Sequence, residues 1–203
     1  YWAWSDTLEV ILETGTTDRT IRYGGTSPLT GVTSVSGTYT VLSGDASSDL
    51  TVKSITMDGT ISDATDQAMV DFSIGSNLAS SSAIVVDGIA PTVASVKSTS
   101  TNTTYGTGAS INVTVNFSEA VSLSSGGTMT VTLETGSTDR TVSITSISNA
   151  TSASGTYTVE ENDLSSDLTV KSISVSGTIS DASDQAMVDF SIGANLASSS
   201  AIV

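Results

Sequence analysis

The sequence repeats itself at a spacing of more than one hundred residues, and this repeat limits the possible folds more than any other feature. Residues 66–85 and 184–203 differ at one position only, where Ser76 is matched by Ala194. The same offset of 118 residues relates two further segments, SGTYTV at 36–41 and 154–159 and SSDLTVKSI at 47–55 and 165–173. Such a period is far longer than a solenoid unit of roughly 20–50 residues and matches one ordinary domain. We therefore predict a tandem array of like domains.

The two copies are not equally complete. The second is predicted to span 86–203, whereas the first, 1–85, has no counterpart of residues 87–121. We expect the chain to be a fragment of a longer natural protein, since a half-domain would expose sheet edges that proteins normally cover. We also expect an adjacent repeat, from the same long chain or from an identical subunit, to complete the first copy by strand addition.

Composition excludes several classes of function. The chain has no Cys and no His, which removes disulfides, thiolate or imidazole metal sites and histidine-activated nucleophiles. Six Lys plus Arg stand against 21 Asp plus Glu, a formal charge of −15. Such a chain repels nucleic acid and anionic membranes but attracts divalent cations. No run approaches the roughly 18 apolar residues of a membrane span. Paired carboxylates could in principle hydrolyse a glycoside. We nevertheless expect no enzyme, because the candidate carboxylates are predicted to lie beside a joint between domains and only Trp2 and Trp4 could stack against sugar.

Apolar residues alternate with Thr, Ser and Asn, as in half-buried strands. In 111–117, INVTVNF, every odd position is apolar and every even one is polar. The second copy is predicted to contain seven strands, at 92–98, 111–117, 129–134, 140–147, 155–160, 168–175 and 186–192. This spacing predicts an all-β chain of tandem immunoglobulin-like β-sandwich domains with about seven strands each.

Alternating strand direction brings three carboxylate-bearing stretches to one end of the second copy. They are the linker at Asp87, a turn at Glu119 after the second strand, and a loop with Asp181 and Asp184 before the seventh. Ca²⁺ takes six to eight oxygen ligands at about 2.3–2.6 Å, so it suits such a set. A solvated acidic rim is the alternative that spacing alone leaves open.

Three short motifs resemble those of bacterial immunoglobulin-like repeats from large secreted adhesins and biofilm proteins. Phe117–Val121 resembles F-S-E-x-V, and Asp87–Thr92 resembles the linker D-x-x-A-P-T. Asp181–Gln185 resembles D-A-A-G-N, with Asp and Gln in place of Gly and Asn. The segment LETGSTDRT at 133–141 is also similar to a frequent segment of these repeats.

The resemblance implies an extracellular or cell-surface array that forms a stalk or filament, in which calcium stiffens the joints between domains. Its ligands carry over to Asp87, Glu119 and Asp181, with Asp63 as the match in the first copy. Asp184, and Asp66 in the first copy, stand where the motif has Gly. They either disturb the loop, because Gly accepts a positive φ more freely, or add a ligand.

A second class of function is an adhesive module that binds glycan, ice or a host receptor. Outward threonines in the pattern Thr-x-Thr, at 128, 130 and 132, would favour it, although Thr is also common on β-surfaces. Trp2 and Trp4 alternate with Ala3, which indicates the buried face of a strand more than a sugar platform. Asn-x-Ser/Thr sequons begin at Asn102, Asn112, Asn116 and Asn149.

The sequence also allows a covalent cross-link between a lysine and an asparagine side chain. Lys53 and Lys171 lie in identical LTVKSI strands, and Asn77 or Asn195 could be their partners in a Lys–Asn cross-link. The alternative is a lysine whose stem lies along the sheet and whose ammonium group reaches water.

Overall fold

The structure is a computed structural model of the chain and describes residues 6–24 and 31–203. The fold is all-β, as predicted, and its only described helices are two 3₁₀ turns of one turn each. Within the described ranges, no helix is long and apolar enough to cross a membrane. The chain divides into two compact units, residues 1–89 and 90–203.

The first unit contains five described strands. They are β1 (Thr7–Glu13), β2 (Arg19–Gly24), β3 (Ala46–Ser47), β4 (Thr51–Asp58) and β5 (Val86–Asp87). β1 lies between β2 and β4 in an antiparallel sheet, and β3 pairs with β5. Among the described residues of this unit, the buried apolar cluster consists of Leu12, Leu50 and Val86, with Val10, Ile21, Tyr39, Val52 and Leu78 partly buried against it.

The second unit is a two-sheet sandwich. Its strands are β6 (Val93–Lys97), β7 (Ser110–Leu123), β8 (Thr128–Glu134), β9 (Arg140–Ile144), β10 (Ala150–Thr158), β11 (Thr169–Ser176), β12 (Ile179–Ser180) and β13 (Ile192–Ala194). One sheet has the order β10-β7-β6-β13, with β12 on the end of β7, and the other has the order β11-β8-β9. All pairs are antiparallel except β6 with β13.

The core of the sandwich follows from the alternation in the sequence. Alternate residues of β7 and β8, such as Val113 and Val131, are fully buried between the sheets, while their neighbours face outward. Because successive side chains of a strand point to opposite faces, the period of two fixes which set enters the core.

Several predicted strands in this unit differ in extent from the observed ones, since β10 begins at Ala150 and β9 ends at Ile144, and two differences affect the site. The turn predicted after residue 117 does not form, since β7 continues to Leu123 and Phe117 and Val121 both reach the core. The strand predicted at 186–192 is reduced to one bridge at Ala186 and to β13. There the Asp189 carboxylate accepts hydrogen bonds from the N–H and hydroxyl of Ser191, a local turn that competes with strand pairing.

Candidate metal centre

A bulge in the middle of β7 positions Glu119. Val121 lies opposite Ala150 and Asn116 opposite Ser152, so β7 advances five residues where β10 advances two. The extra residues loop out of the ladder and carry the Glu119 side chain with them. Bulges often re-aim a side chain in this way beside functional sites. The sequence analysis assigned Glu119 to a turn, and the structure assigns it to the bulge.

The loop after β12 positions Asp181. One carboxylate oxygen of Asp181, Oδ1, accepts the N–H groups of Ser183 and Gln185 at 2.8 Å each. The backbone closes the same loop, because the Asp181 N–H donates to the carbonyl of Gln185 at 3.2 Å. The Asp181 carboxylate is therefore held in one orientation by its own loop.

Glu119 and Asp181 come together in the second unit. One carboxylate oxygen of each lies within 4.8 Å of the other, and Asp181 is only 7 % exposed. The second oxygen of Asp181, Oδ2, is buried and has no hydrogen-bond partner. A buried carboxylate oxygen without a donor, beside a second carboxylate, is costly unless a cation or water supplies the missing contact. Oxygen donors of this kind suit a hard divalent cation.

Asp184 adopts a backbone conformation that usually favours Gly. Asp184 and its counterpart Asp66 both have φ of 61°, the left-handed conformation that Gly adopts without strain. The replacement of Gly by Asp therefore keeps the shape of the loop. Both carboxylates are exposed.

Asp63 forms the same loop in the first unit as Asp181 does in the second. Its Oδ1 accepts the N–H groups of Thr65 and Gln67 at 2.8 and 3.0 Å and the hydroxyl of Thr65 at 2.8 Å. These bonds, the Gln67 N–H foremost, lower the pKa of Asp63. Unlike Asp181, Asp63 is exposed, and residues 1–85 have no counterpart of Glu119.

Asp87 is the last residue of β5, in the first unit. It pairs with Ala46 of β3, and its Oδ1 accepts the Ile89 N–H at 3.2 Å. The side chain is half-buried. In the chain, Asp87 precedes the second unit by three residues.

The sequence analysis missed a buried ionic cluster that occurs in both units. In the second unit Asp163 accepts the Tyr157 hydroxyl at 2.7 Å and the Arg140 guanidinium at 2.8 Å. In the first, Asp45 accepts the Tyr39 hydroxyl at 2.6 Å and the Arg19 guanidinium at 2.8 Å. In each set the Arg is the first residue of a strand and the Asp lies in a loop, but Tyr157 belongs to β10 whereas Tyr39 belongs to no strand. The recurrence of Arg, Tyr and Asp at matched positions was the signal available in the sequence.

Within the clusters the pKa of each Asp is lowered and the pKa of Tyr39 is raised. Arg19, the largest cause, holds the pKa of Asp45 at about 2, and the bond from Tyr39 acts in the same direction. Burial chiefly raises the pKa of Tyr39 to about 12. Burial opposes ionisation of Asp163, yet its bonds from Tyr157, Glu160 and Arg140 together lower its pKa. On this loop Asp163 therefore belongs to the buried cluster, while Glu161 is exposed.

The lysines proposed for a cross-link have other partners. The Lys171 ammonium lies 2.8 Å from Asp139 and 3.4 Å from Glu134, and Lys53 makes the equivalent pairs. The Asn195 amide instead bonds the backbone of Val170 on both sides, at 2.9 and 2.8 Å. The structure therefore favours ion pairs over the Lys–Asn bond. Trp2 and Trp4 lie outside the described residues.

A comparison with protein-family models, curated proteins and solved structures finds no match for the chain. Functional assignment therefore depends on the residues and geometry described above.

Proposed function

We propose that the chain is a non-enzymatic structural module of an extracellular or cell-surface stalk or filament, and that calcium binds at Glu119 and Asp181. The buried, unpartnered Oδ2 of Asp181 beside the Glu119 carboxylate carries the proposal. A cation there would replace the missing donor and relieve the repulsion between the two carboxylates.

Asp87 is the third ligand in this proposal. The resemblance to calcium-stiffened surface repeats supplies this assignment, and Asp87 precedes the second unit by only three residues in the chain. A cation that binds Asp87 together with Glu119 and Asp181 would restrict bending at the joint between repeats. Near-identity of the two copies supports a spacer, because a spacer lengthens by duplication without needing a new binding face in each domain.

The test is thermal unfolding of the full chain in chelator and in millimolar calcium. Extracellular calcium modules bind at roughly 10⁻⁴–10⁻³ M. A ligand that binds only the folded state at ten times its Kd stabilises that state by about 1.4 kcal/mol. We expect calcium to raise the melting temperature of the second unit and Glu119→Gln to remove most of that response.

Glu161→Gln is the matched control, because it removes one negative charge from an exposed side chain on another loop of the same unit. It should leave the calcium response intact. If the two wild-type melting curves coincide, or if both variants lose the response equally, the acidic residues form only a solvated rim.

One observation favours the adhesive alternative. On the outer face of the β11-β8-β9 sheet, Thr130 lies between Ser174 and Ser143, and Thr132 lies between Ser172 and Thr141. These two rows of hydroxyl groups, which are bordered on β8 by the Glu134–Lys171 ion pair, would suit a hydroxyl-rich partner such as a glycan. Binding to a glycan panel that Thr130→Asp abolishes would favour this function over the spacer.

A further inference from the structure

Each unit contains an edge strand that has a neighbouring strand on one side only. Among the described residues, β11 pairs with β8 alone, and β4 pairs with β1 alone. A groove of about 500 Å³ runs beside β11, between residues 170–173 and 190–192, and leaves this edge open to the approach of an extended chain. The unpaired N–H and C=O groups of such an edge are a template for pairing with another chain.

The Asn195 side chain occupies the edge of β11 at Val170. Its Oδ1 accepts the Val170 N–H at 2.9 Å, and its Nδ2 donates to the Val170 carbonyl at 2.8 Å. In an antiparallel ladder, two facing residues exchange the same two kinds of hydrogen bond through their backbones. The Asn195 amide therefore takes the place that a residue of an incoming strand would need.

The first unit repeats this arrangement. Asn77 Oδ1 accepts the Val52 N–H, and Asn77 Nδ2 donates to the Val52 carbonyl, at 2.8 Å each. One residue further along, Lys53 of β4 and Lys171 of β11 are each skipped in the pairing with the neighbouring strand, so each forms a bulge. Bulges twist an edge away from a possible partner strand. The occupied position and the bulge therefore adjoin in both edge strands.

These two edge strands are a particular hazard because their sequences match. Residues 50–55 and 168–173 both read LTVKSI. Where like domains are joined, matching edges lie at a high local concentration, and misassembly between domains is a characteristic failure of repeat proteins. A side chain that occupies the edge prevents such pairing and leaves the strand itself intact.

We propose that Asn77 and Asn195 are blocking contacts, which keep the edge strands β4 and β11 from pairing with the same edges of a second copy of this chain. Each amide satisfies the backbone of its edge strand, so the strand needs no partner at that position. Each Oδ1 also accepts the N–H of the next residue, Leu78 or Leu196, at 2.7 Å and caps a 3₁₀ turn, which fixes the amide in place. The proposal involves no calcium and holds whatever the function of the array.

The test is the substitution Asn195→Ser in the full chain. Serine also caps a helical turn well, but its short side chain has a single hydroxyl group and cannot make both bonds to Val170. Sedimentation velocity and hydrogen exchange are measured over a series of chain concentrations. We expect the variant to form a dimer of twice the monomer mass, and exchange in residues 169–176 to slow as the concentration rises. In the wild type, exchange in this peptide should not depend on concentration.

Two controls separate the loss of a blocking contact from a loss of stability. Tyr157→Phe removes a hydrogen bond of the buried cluster and leaves the contact between Asn195 and β11 in place, so exchange in 169–176 should stay independent of concentration. Adding Ser174→Lys to Asn195→Ser puts a charge on the opened edge strand, as natural proteins do. This double variant should return to the monomer without recovering the free energy of unfolding that Asn195→Ser loses.

Asn77→Ser repeats the test at β4, with exchange in residues 51–58 as its readout, and decides the outcome if Asn195→Ser does not fold. The proposal is overturned if exchange in 169–176 already slows with concentration in the wild type, or if neither serine variant shows such slowing in its own edge strand. It is also overturned if Tyr157→Phe associates as Asn195→Ser does, or if the added lysine does not restore the monomer. Lost stability, or another surface, would then explain the association.

Discussion

At the scale of single residues, the buried cluster of Asp163, Tyr157 and Arg140 is the clearest example of an arrangement that the local sequence does not reveal. A run of acids on a loop predicts solvated charge, and for Glu161 that interpretation agrees with its exposure. Asp163 differs because Arg140 and Tyr157, distant in sequence, converge on it. Charge density along a chain carries no information about such partners, whereas the repetition of all three residue types in the first unit does.

Tyr157→Phe should destabilise the second unit by about 1.5–3 kcal/mol, the usual value of a hydrogen bond to a charged group. The variant keeps the ring in the core and removes only the hydroxyl that donates to Asp163. The measurement is the free energy of unfolding in urea, with hydrogen exchange used to assign the transition to this unit.

Tyr105→Phe is the control for that change. The Tyr105 hydroxyl donates to the neutral carbonyl of Thr101 at 2.9 Å, in a partly exposed position. Its loss should cost less than the loss of the Tyr157 hydroxyl. Equal effects would mean that the charge of Asp163 adds nothing to its bond with Tyr157.

The low pKa of Asp45 predicts how the first unit responds to acid. A carboxyl whose pKa is about 2 when folded and about 3.9 when unfolded favours the folded state once it is ionised. This contribution is complete above pH 4 and is lost as the pH falls through 2. Asp45→Asn should therefore be less stable than wild type at neutral pH, and the difference should shrink between pH 4 and pH 2.

An acid titration of unfolding, followed by hydrogen exchange in peptides of the first unit, measures that difference. The two curves should converge toward pH 2. Curves that stay parallel through this range would show that Asp45 does not contribute to the acid response through its ionisation.

At the scale of elements, strand periodicity predicted where most of the sheet residues lie but not which of them pair. The alternation in 111–117 correctly places Val113 and Val115 in the core. It does not reveal the bulge that carries Glu119, because a bulge depends on the register of the neighbouring strand. The segment 186–192 has an apolar pattern too short to outweigh the local turn at Asp189. Which strands pair depends on residues that are distant in sequence, so a local pattern cannot predict it.

The segment SGTYTV shows the same limit within one chain. Residues 154–158 belong to β10, while the identical residues 36–40 form no strand. The two segments have the same intrinsic propensity and the same intrinsic exchange chemistry, so only the presence of β7 beside β10 separates them.

Hydrogen exchange should therefore be slower in 154–159 than in 36–41 by at least about tenfold, since even ~1.4 kcal/mol of opening free energy gives that factor. Mass spectrometry of the two matching peptides measures it without any mutation. Equal rates would mean that the first copy pairs these residues in solution.

At the scale of the whole molecule, the two units differ in the size of their buried cores, and residues 1–89 lack a counterpart of the segment that contains β6 and most of β7. The described residues give the second unit a core cluster of 23 buried residues and the first unit a cluster of three. Each fully buried apolar side chain contributes roughly 1.5–3 kcal/mol, against a net stability of about 5–15 kcal/mol for an ordinary domain. The second unit, which has the larger core, should therefore have the larger free energy of unfolding.

We predict that urea unfolds the chain in two steps, with the first unit unfolding at the lower concentration. Pulsed hydrogen exchange in the matched peptides from β1 and β8 follows each unit by itself. A single transition shared by both peptides would show that the units unfold together.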